Sequence, residues 1–225
     1  MARSFSLVDS KLSEAAFFLE KMPSCGYNMF EMRCYLSAFV SSARTVTFSL
    51  QAVLRGMEGF DSWYKQKQEA LKEDNLARFF HEFRTANQHI GDNPALAGAG
   101  GPGIETLHWF VPTAEIASVP EEDVLTSCNQ YFVQLLNVVF ECFLKFGPQI
   151  NSKQRYTAEY FSSIGKTIED AEEELGFPRG WTDLGEPDSI PYRWQLLRDQ
   201  TSGCDIDNVF LKYLGKTTPY PELLP

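Results

Sequence analysis

The feature that most constrains this chain is an apolar stripe that holds one period along a single long segment. From Asn28 to about Met57, the residues Met32, Leu36, Phe39, Ala43, Val46, Leu50, Val53 and Met57 recur at alternating steps of four and three. On a helix, where successive residues turn by about 100°, those steps place every one of these side chains on one face. On a strand they would scatter over both faces, so the segment is predicted as one long helix. Its middle, Ser41-Ser42-Ala43-Arg44-Thr45-Val46-Thr47, is rich in small and β-branched residues that form helix poorly alone. Packing along the stripe must therefore hold it, and Gly56 and Gly59 mark its end.

The rest of the chain supplies the partners. A first helix is expected over about 9–22, with Ala15, Phe18, Leu19 and Met22 inward and Pro23 as its stop. A shorter one comes next at about 61–72, and Asp74 or Asn75 caps another, which runs to Ile90 and ends at Gly91. The glycine-rich stretch 91–103 reads as a loop, and Ile104–Val111 as an isolated strand or hairpin arm. Ser118-x-x-Glu121 with Pro120 has the form of a capping box for a helix reaching Phe146 and stopping at Gly147-Pro148. A further helix is expected over about 153–175, with Tyr160, Ile164, Ile168, Ala171 and Leu175 inward and Glu169 to Glu174 as an acidic outer stripe. Two short helical pieces near 192–200 and 205–214 precede a tail. The expected fold is all-α: a bundle of about five main helices over 1–150 with a short strand or hairpin insertion, and a helical C-terminal extension, 151–225, packed on it.

Composition removes several classes of function. The cysteines, Cys25, Cys34, Cys128, Cys142 and Cys204, are odd in number and widely spaced, with only His81, His89 and His108 as co-ligands. Neither a disulfide framework nor a zinc site is expected, and no cofactor motif is present. Ser163-Ile-Gly-Lys-Thr167 has the ending of a phosphate loop, but it sits within a helical pattern and has Tyr160 where the first glycine belongs. No segment is apolar enough to span a membrane and no secretory signal is seen, so a cytoplasmic protein is expected. The net charge of −10 is uneven: residues 1–90 carry 11 Lys and Arg against 10 Asp and Glu, whereas 91–225 carry 9 against 20. An anionic ligand should prefer the N-terminal part, and the acidic remainder a basic partner.

The segment 75–90, NLARFFHEFRTANQHI, concentrates the candidate chemistry. Leu76, Phe79, Phe80, Phe83 and Ile90 make its core face, with Asn87 among them needing a hydrogen-bond partner. Arg84 lies on the flank of that face and His89 about 140° further round, so the two meet only through helix fraying, a neighbouring helix or a second copy of the chain. Histidine near neutral pKa suits acid or base work, and the last turn of a helix favours its imidazolium form. Arginine offers a fixed bidentate charge to phosphate oxygens. His81, three residues before Arg84, is a secondary candidate.

Arg84-Thr85-Ala86-Asn87-Gln88-His89 has the form R-x-x-x-x-H, and with the order of helices from Asn28 to Phe146 it resembles the HEPN superfamily. The resemblance implies an all-helical domain, a homodimer in which arginine and histidine of two protomers meet, and metal-independent endoribonuclease activity on RNA. His89 would be the acid or base, Arg84 the phosphate clamp, and Thr85 and Asn87 would orient them. Such a protein is expected to be toxin-like or defence-related, with an antitoxin or regulator as protein partner. Where the family often carries Asn, Asp or His, this chain has Thr85, which with the acidic charge favours the alternative: a non-catalytic HEPN-like module that docks a protein or nucleotide partner.

Overall fold

A computed structural model describes residues 4–98, 100, 106–186, 189–201 and 206–219. The chain divides into two compact units. One runs to Val138 and takes in Lys212–Leu214; the other holds Val139–Leu211 and the chain from Gly215 onward.

In the first unit, α1 (Ser6–Lys21) ends in a 3-10 turn, Met22–Cys25, that carries Pro23. The predicted long helix is α2 (Met29–Leu54). Asn28 caps it by accepting from the Glu31 amide at 3.2 Å. Met32, Leu36, Phe39, Ala43, Val46 and Leu50 are all buried, so the stripe is the buried face up to there; Val53 is half-buried, and Met57 falls in the turn after α2 ends at Leu54. After α3 (Phe60–Glu73), Asp74 caps α4 (Asn75–Ile90) by accepting from the Ala77 amide at 2.8 Å. Gly91 closes α4 at φ 75°, the left-handed conformation that glycine adopts without steric cost. The core face of α4 differs from expectation at both ends, and Leu76 is only half-buried. Ile90 is 62% exposed, because the last turn reaches past the packed elements, while Ala77 and Ala86 join Phe79, Phe80 and Phe83 inside.

The centre of this unit is aromatic. Phe39 of α2 meets Phe80 of α4 and Phe132 edge-on, each at 6.2 Å, and Phe80 stacks on Tyr131 at 4.5 Å. Each such pair adds about 0.5–1.5 kcal/mol beyond the area it buries. Phe110 joins at 4.7 Å from Phe79. It lies on β2 (His108–Phe110), which pairs antiparallel with β1 (Ala95–Ala97) in the register Ala95↔Phe110, Leu96↔Trp109 and Ala97↔His108. The hairpin arm was expected; β1 corrects the reading of 91–103 as loop. Three residues are too short to display alternation, and β1 is held by a tertiary contact, Arg33 donating to the Ala95 carbonyl at 3.0 Å.

The capping box at Ser118 is also corrected. α5 (Val124–Ile150) begins later, capped by Asp123, whose carboxylate accepts from the Leu125 and Thr126 amides at 2.9 and 3.1 Å. Its helical dihedrals break at Phe146, beside Gly147-Pro148, where the sequence predicted a stop.

In the second unit the predicted helix 153–175 is three short helices: α6 (Ser152–Arg155), α7 (Ala158–Ser163) and α8 (Ile168–Glu174). Local caps divide it. The Thr157 hydroxyl accepts from the Tyr160 amide, Gly165 turns the chain at φ 70°, and Thr167 forms a capping box with Asp170. Ile168 and Ala171 are buried as expected; Ile164 is exposed because Gly165 breaks the face it was assigned to. α9 (Ile190–Asp199) and α10 (Asp207–Leu214) are the two predicted short pieces. Tyr156, Phe161, Ile168, Ala171, Trp194 and Leu197 form this unit's own cluster.

The acidic stripe is corrected most. Glu172 is fully buried, its carboxylate accepting from the Gly180 and Thr182 amides, the Thr182 hydroxyl and Arg193. Its neighbours are paired too: Glu169 with Arg193, Asp170 and Glu173 with Arg179, and Glu174 with Arg155 and Lys166. Among the described residues Cys25, Cys34, Cys128 and Cys142 are free thiols, no group of metal-ligating side chains occurs, and no helix is long and apolar enough to cross a membrane. Cys204 and the chain from 220 lie outside the described residues.

Candidate functional site

α4 presents its polar side chains in two directions. On one side His81, Thr85 and His89 line a shallow depression with Glu82, Ala86, Ile90 and Glu115. His89, in the last turn, is exposed. The Thr85 hydroxyl donates to the His81 carbonyl at 2.9 Å, so its proton is engaged within its own helix. Asn87 donates to the Asp92 carbonyl at 3.1 Å and secures the turn after the helix, as a partly buried amide requires. Arg84 does not line the depression. It is half-buried on the flank facing α2, near Gln88, which donates to Ser41 at 3.1 Å. Arg84 forms no hydrogen bond or ion pair with another described residue. Within one chain Arg84 and His89 therefore serve different surfaces, as the helix period dictates.

On its other side α4 closes a cleft of about 150 Å³ against α2 and α3. It is lined by Arg44 and Thr47 of α2, Tyr64, Gln68, Leu71 and Lys72 of α3, Ala77, Arg78 and His81 of α4, and Tyr131 of α5. Four of these can carry positive charge and none is a carboxylate. Asp74 lies between Lys72 and Arg78 in sequence, but its oxygens are taken by the Ala77 amide and by Gln134 at 3.1 Å.

The cleft wall is ordered. The Arg44 guanidinium donates to the Thr47 hydroxyl and lies 4.5 Å from the Phe48 ring, and Tyr64 donates to the Thr47 carbonyl at 2.7 Å. Burial and the nearby Arg44 charge hold His81 below the ordinary imidazole range, with Arg84 adding to the effect and Glu82 opposing it. Burial raises the Tyr64 phenol and pushes Tyr131 up to about 12, so both stay protonated donors. Sequence reading singled out only His81 here. Arg44, Lys72, Arg78 and Tyr131 come from four helices with no shared spacing, and the one available signal was the lack of acidic excess in residues 1–90.

Residues 4–97 match the model of a family described as bacteriophage lambda protein ea47. This similarity covers under half of the chain, from α1 to β1, and takes in Arg84, His89 and every residue lining the cleft except Tyr131. No curated protein and no solved structure matches the chain.

Proposed function

We propose that this chain is a non-catalytic HEPN-like binding or regulatory module. The observation that supports this reading is the composition of the depression around His89: it holds Glu82 and Glu115 and lacks Arg84. Cleaving RNA without a metal requires positive charge beside the pentavalent phosphate, and two carboxylates at that place oppose it. An exposed histidine with acidic neighbours suits a polar contact better than acid–base work.

The second reading is a metal-independent endoribonuclease that forms its site across a homodimer. One observation favours it: Arg84 has no partner among the described residues, and His89 and Ile90 are exposed at the end of the same helix. A second copy could bring its Arg84 to this His89.

Incubating the purified chain with mixed RNA in EDTA, wild type beside His89→Ala, separates the two. The module reading expects no cleavage by either protein. Cleavage by wild type that falls about 100-fold or more in the variant, at matched fold and oligomeric state, overturns it in favour of the nuclease.

A further inference from the structure

Among the described residues, the cleft between α2, α3 and α4 gathers cations with no carboxylate in its lining. Arg44, Lys72 and Arg78 line it, and none of them pairs with a described carboxylate. In the second unit Arg155, Lys166, Arg179 and Arg193 are each paired with one or two. Arg78 donates to the Asn75 side chain and Arg44 to Thr47, neither of which carries charge, so in a chain of net charge −10 the three cations form a local positive field that favours an external anion.

A second observation points the same way. Tyr131 is 3% exposed and lines the cleft, with its ring stacked on Phe80. Its hydroxyl donates to no described residue and is not sealed from solvent, so it opens onto the cleft, where a ligand oxygen can reach it. The neighbouring phenol of Tyr64 finds a carbonyl at 2.7 Å. A neutral O–H donor on the floor and guanidinium and ammonium groups on the walls are the groups that recognise a phosphate's three terminal oxygens. The size of the cavity limits what it can enclose: about 150 Å³ is filled by one group the size of a six-membered ring, so a phosphate takes most of it and the stem leaves through the mouth, which excludes a folded or paired nucleic acid.

We propose that this cleft binds a phosphomonoester, a terminal phosphate carried on a compact stem, with Arg44, Lys72 and Arg78 holding the phosphate oxygens and Tyr131 donating from the floor. The proposal rests on the binding-module reading, for which it names the ligand chemistry; the cleft shares His81 with the depression around His89 and otherwise has its own lining. Gln68 and His81 complete the rim, and the aliphatic side of Leu71 faces the stem.

The test is titration calorimetry of the full chain with ribose 5-phosphate, with ribose, and with short oligoribonucleotides bearing a 5′-phosphate or a 5′-hydroxyl. The expected result is binding of phosphate-bearing compounds only. Lys72→Ala and Arg78→Ala should each weaken it by about tenfold or more, because hydrogen bonds to charged groups carry about 1.5–3 kcal/mol. Tyr131→Phe, which leaves the packing intact, should weaken it by about threefold to tenfold. Lys65→Ala, on the same helix as Lys72 but outside the cleft, should bind as wild type does. Binding of ribose 5-phosphate assigns the phosphate to a free small molecule; binding of the 5′-phosphorylated oligonucleotide alone assigns it to an RNA end. The proposal is overturned if no phosphate compound binds, or if Lys72→Ala and Arg78→Ala, with unchanged melting curves, bind as tightly as wild type. RNA cleavage with phosphate binding retained would remove the module reading and leave the cleft assignment standing.

Discussion

Glu172→Gln isolates the charge of the buried carboxylate in the second unit, since it keeps the shape of the side chain. Glu172 is 0% exposed, and it accepts from the Thr182 amide at 2.8 Å, the Thr182 hydroxyl at 2.6 Å, the Gly180 amide and Arg193 at 3.3 Å. A carboxamide has one accepting oxygen for this set of donors, and its NH2 group would face another donor. The Arg193 side chain, only 9% exposed, would keep Glu169 at 3.1 Å as its remaining charged partner. Removing one member of a buried ion pair costs about 3–5 kcal/mol, and the surviving Glu169 contact places this loss at about 3 kcal/mol. At about 1.4 kcal/mol per tenfold, amide hydrogen exchange at Gly180 and Thr182 should accelerate by about 100-fold, with α2 amides as the internal reference. Acceleration of less than about threefold at Thr182 would refute the reasoning, because the carboxylate would then not be what holds the 177–185 turn to α8.

The caps and the carboxylates carry two further outcomes. Asp123→Ala should lower stability by about 1 kcal/mol in thermal denaturation through loss of the α5 cap, whereas Ser118→Ala should change it by less than about 0.5 kcal/mol. Acid should loosen the second unit. Burial pushes Glu172 up, but bonds from Thr182, Gly180 and Arg193 outweigh it; bonds from Arg155 lower Glu174, and those from the Thr167 amide and Arg179 lower Asp170. With folded values depressed, the stabilisation is complete above the ordinary carboxylate range of about 4 and is lost as pH falls through the lowered values. The protection factor at Thr182, which removes the pH dependence of intrinsic exchange, should hold from about pH 6 to about pH 4 and then fall; a fall beginning above about pH 5 would contradict that sign.

The helices that carry long amphipathic patterns were legible in the sequence. The stripe of α2 requires a helix whatever packs on it, and Asp74 and Gly91 bound α4 through groups that act within one turn. Where local signals competed, the reading slipped. Ser118 and Asp123 are both able caps, and the choice between them depends on where α5 meets its core. The apolar positions over 153–175 fit one helix, yet Thr157, Gly165 and Thr167 divide it, because side-chain caps offer the backbone an alternative to continued helix. The geometry of Arg84 and His89 was legible as well: five residues on one helix point them apart.

By itself, then, the sequence determined the helical class, the buried stripe of α2, the phenylalanine face of α4, the close of α4 and the divergence of Arg84 from His89, all of which depend on residues within a few turns of one another. Tertiary structure decided that β1 exists, that Glu172 is an interior anchor instead of a solvated charge, and that Arg44, Lys72, Arg78 and Tyr131 surround one cleft. Those outcomes depend on which distant side chains arrive beside each residue. Periodicity records only the face on which a residue stands, and the groups it will meet there come from elsewhere in the chain.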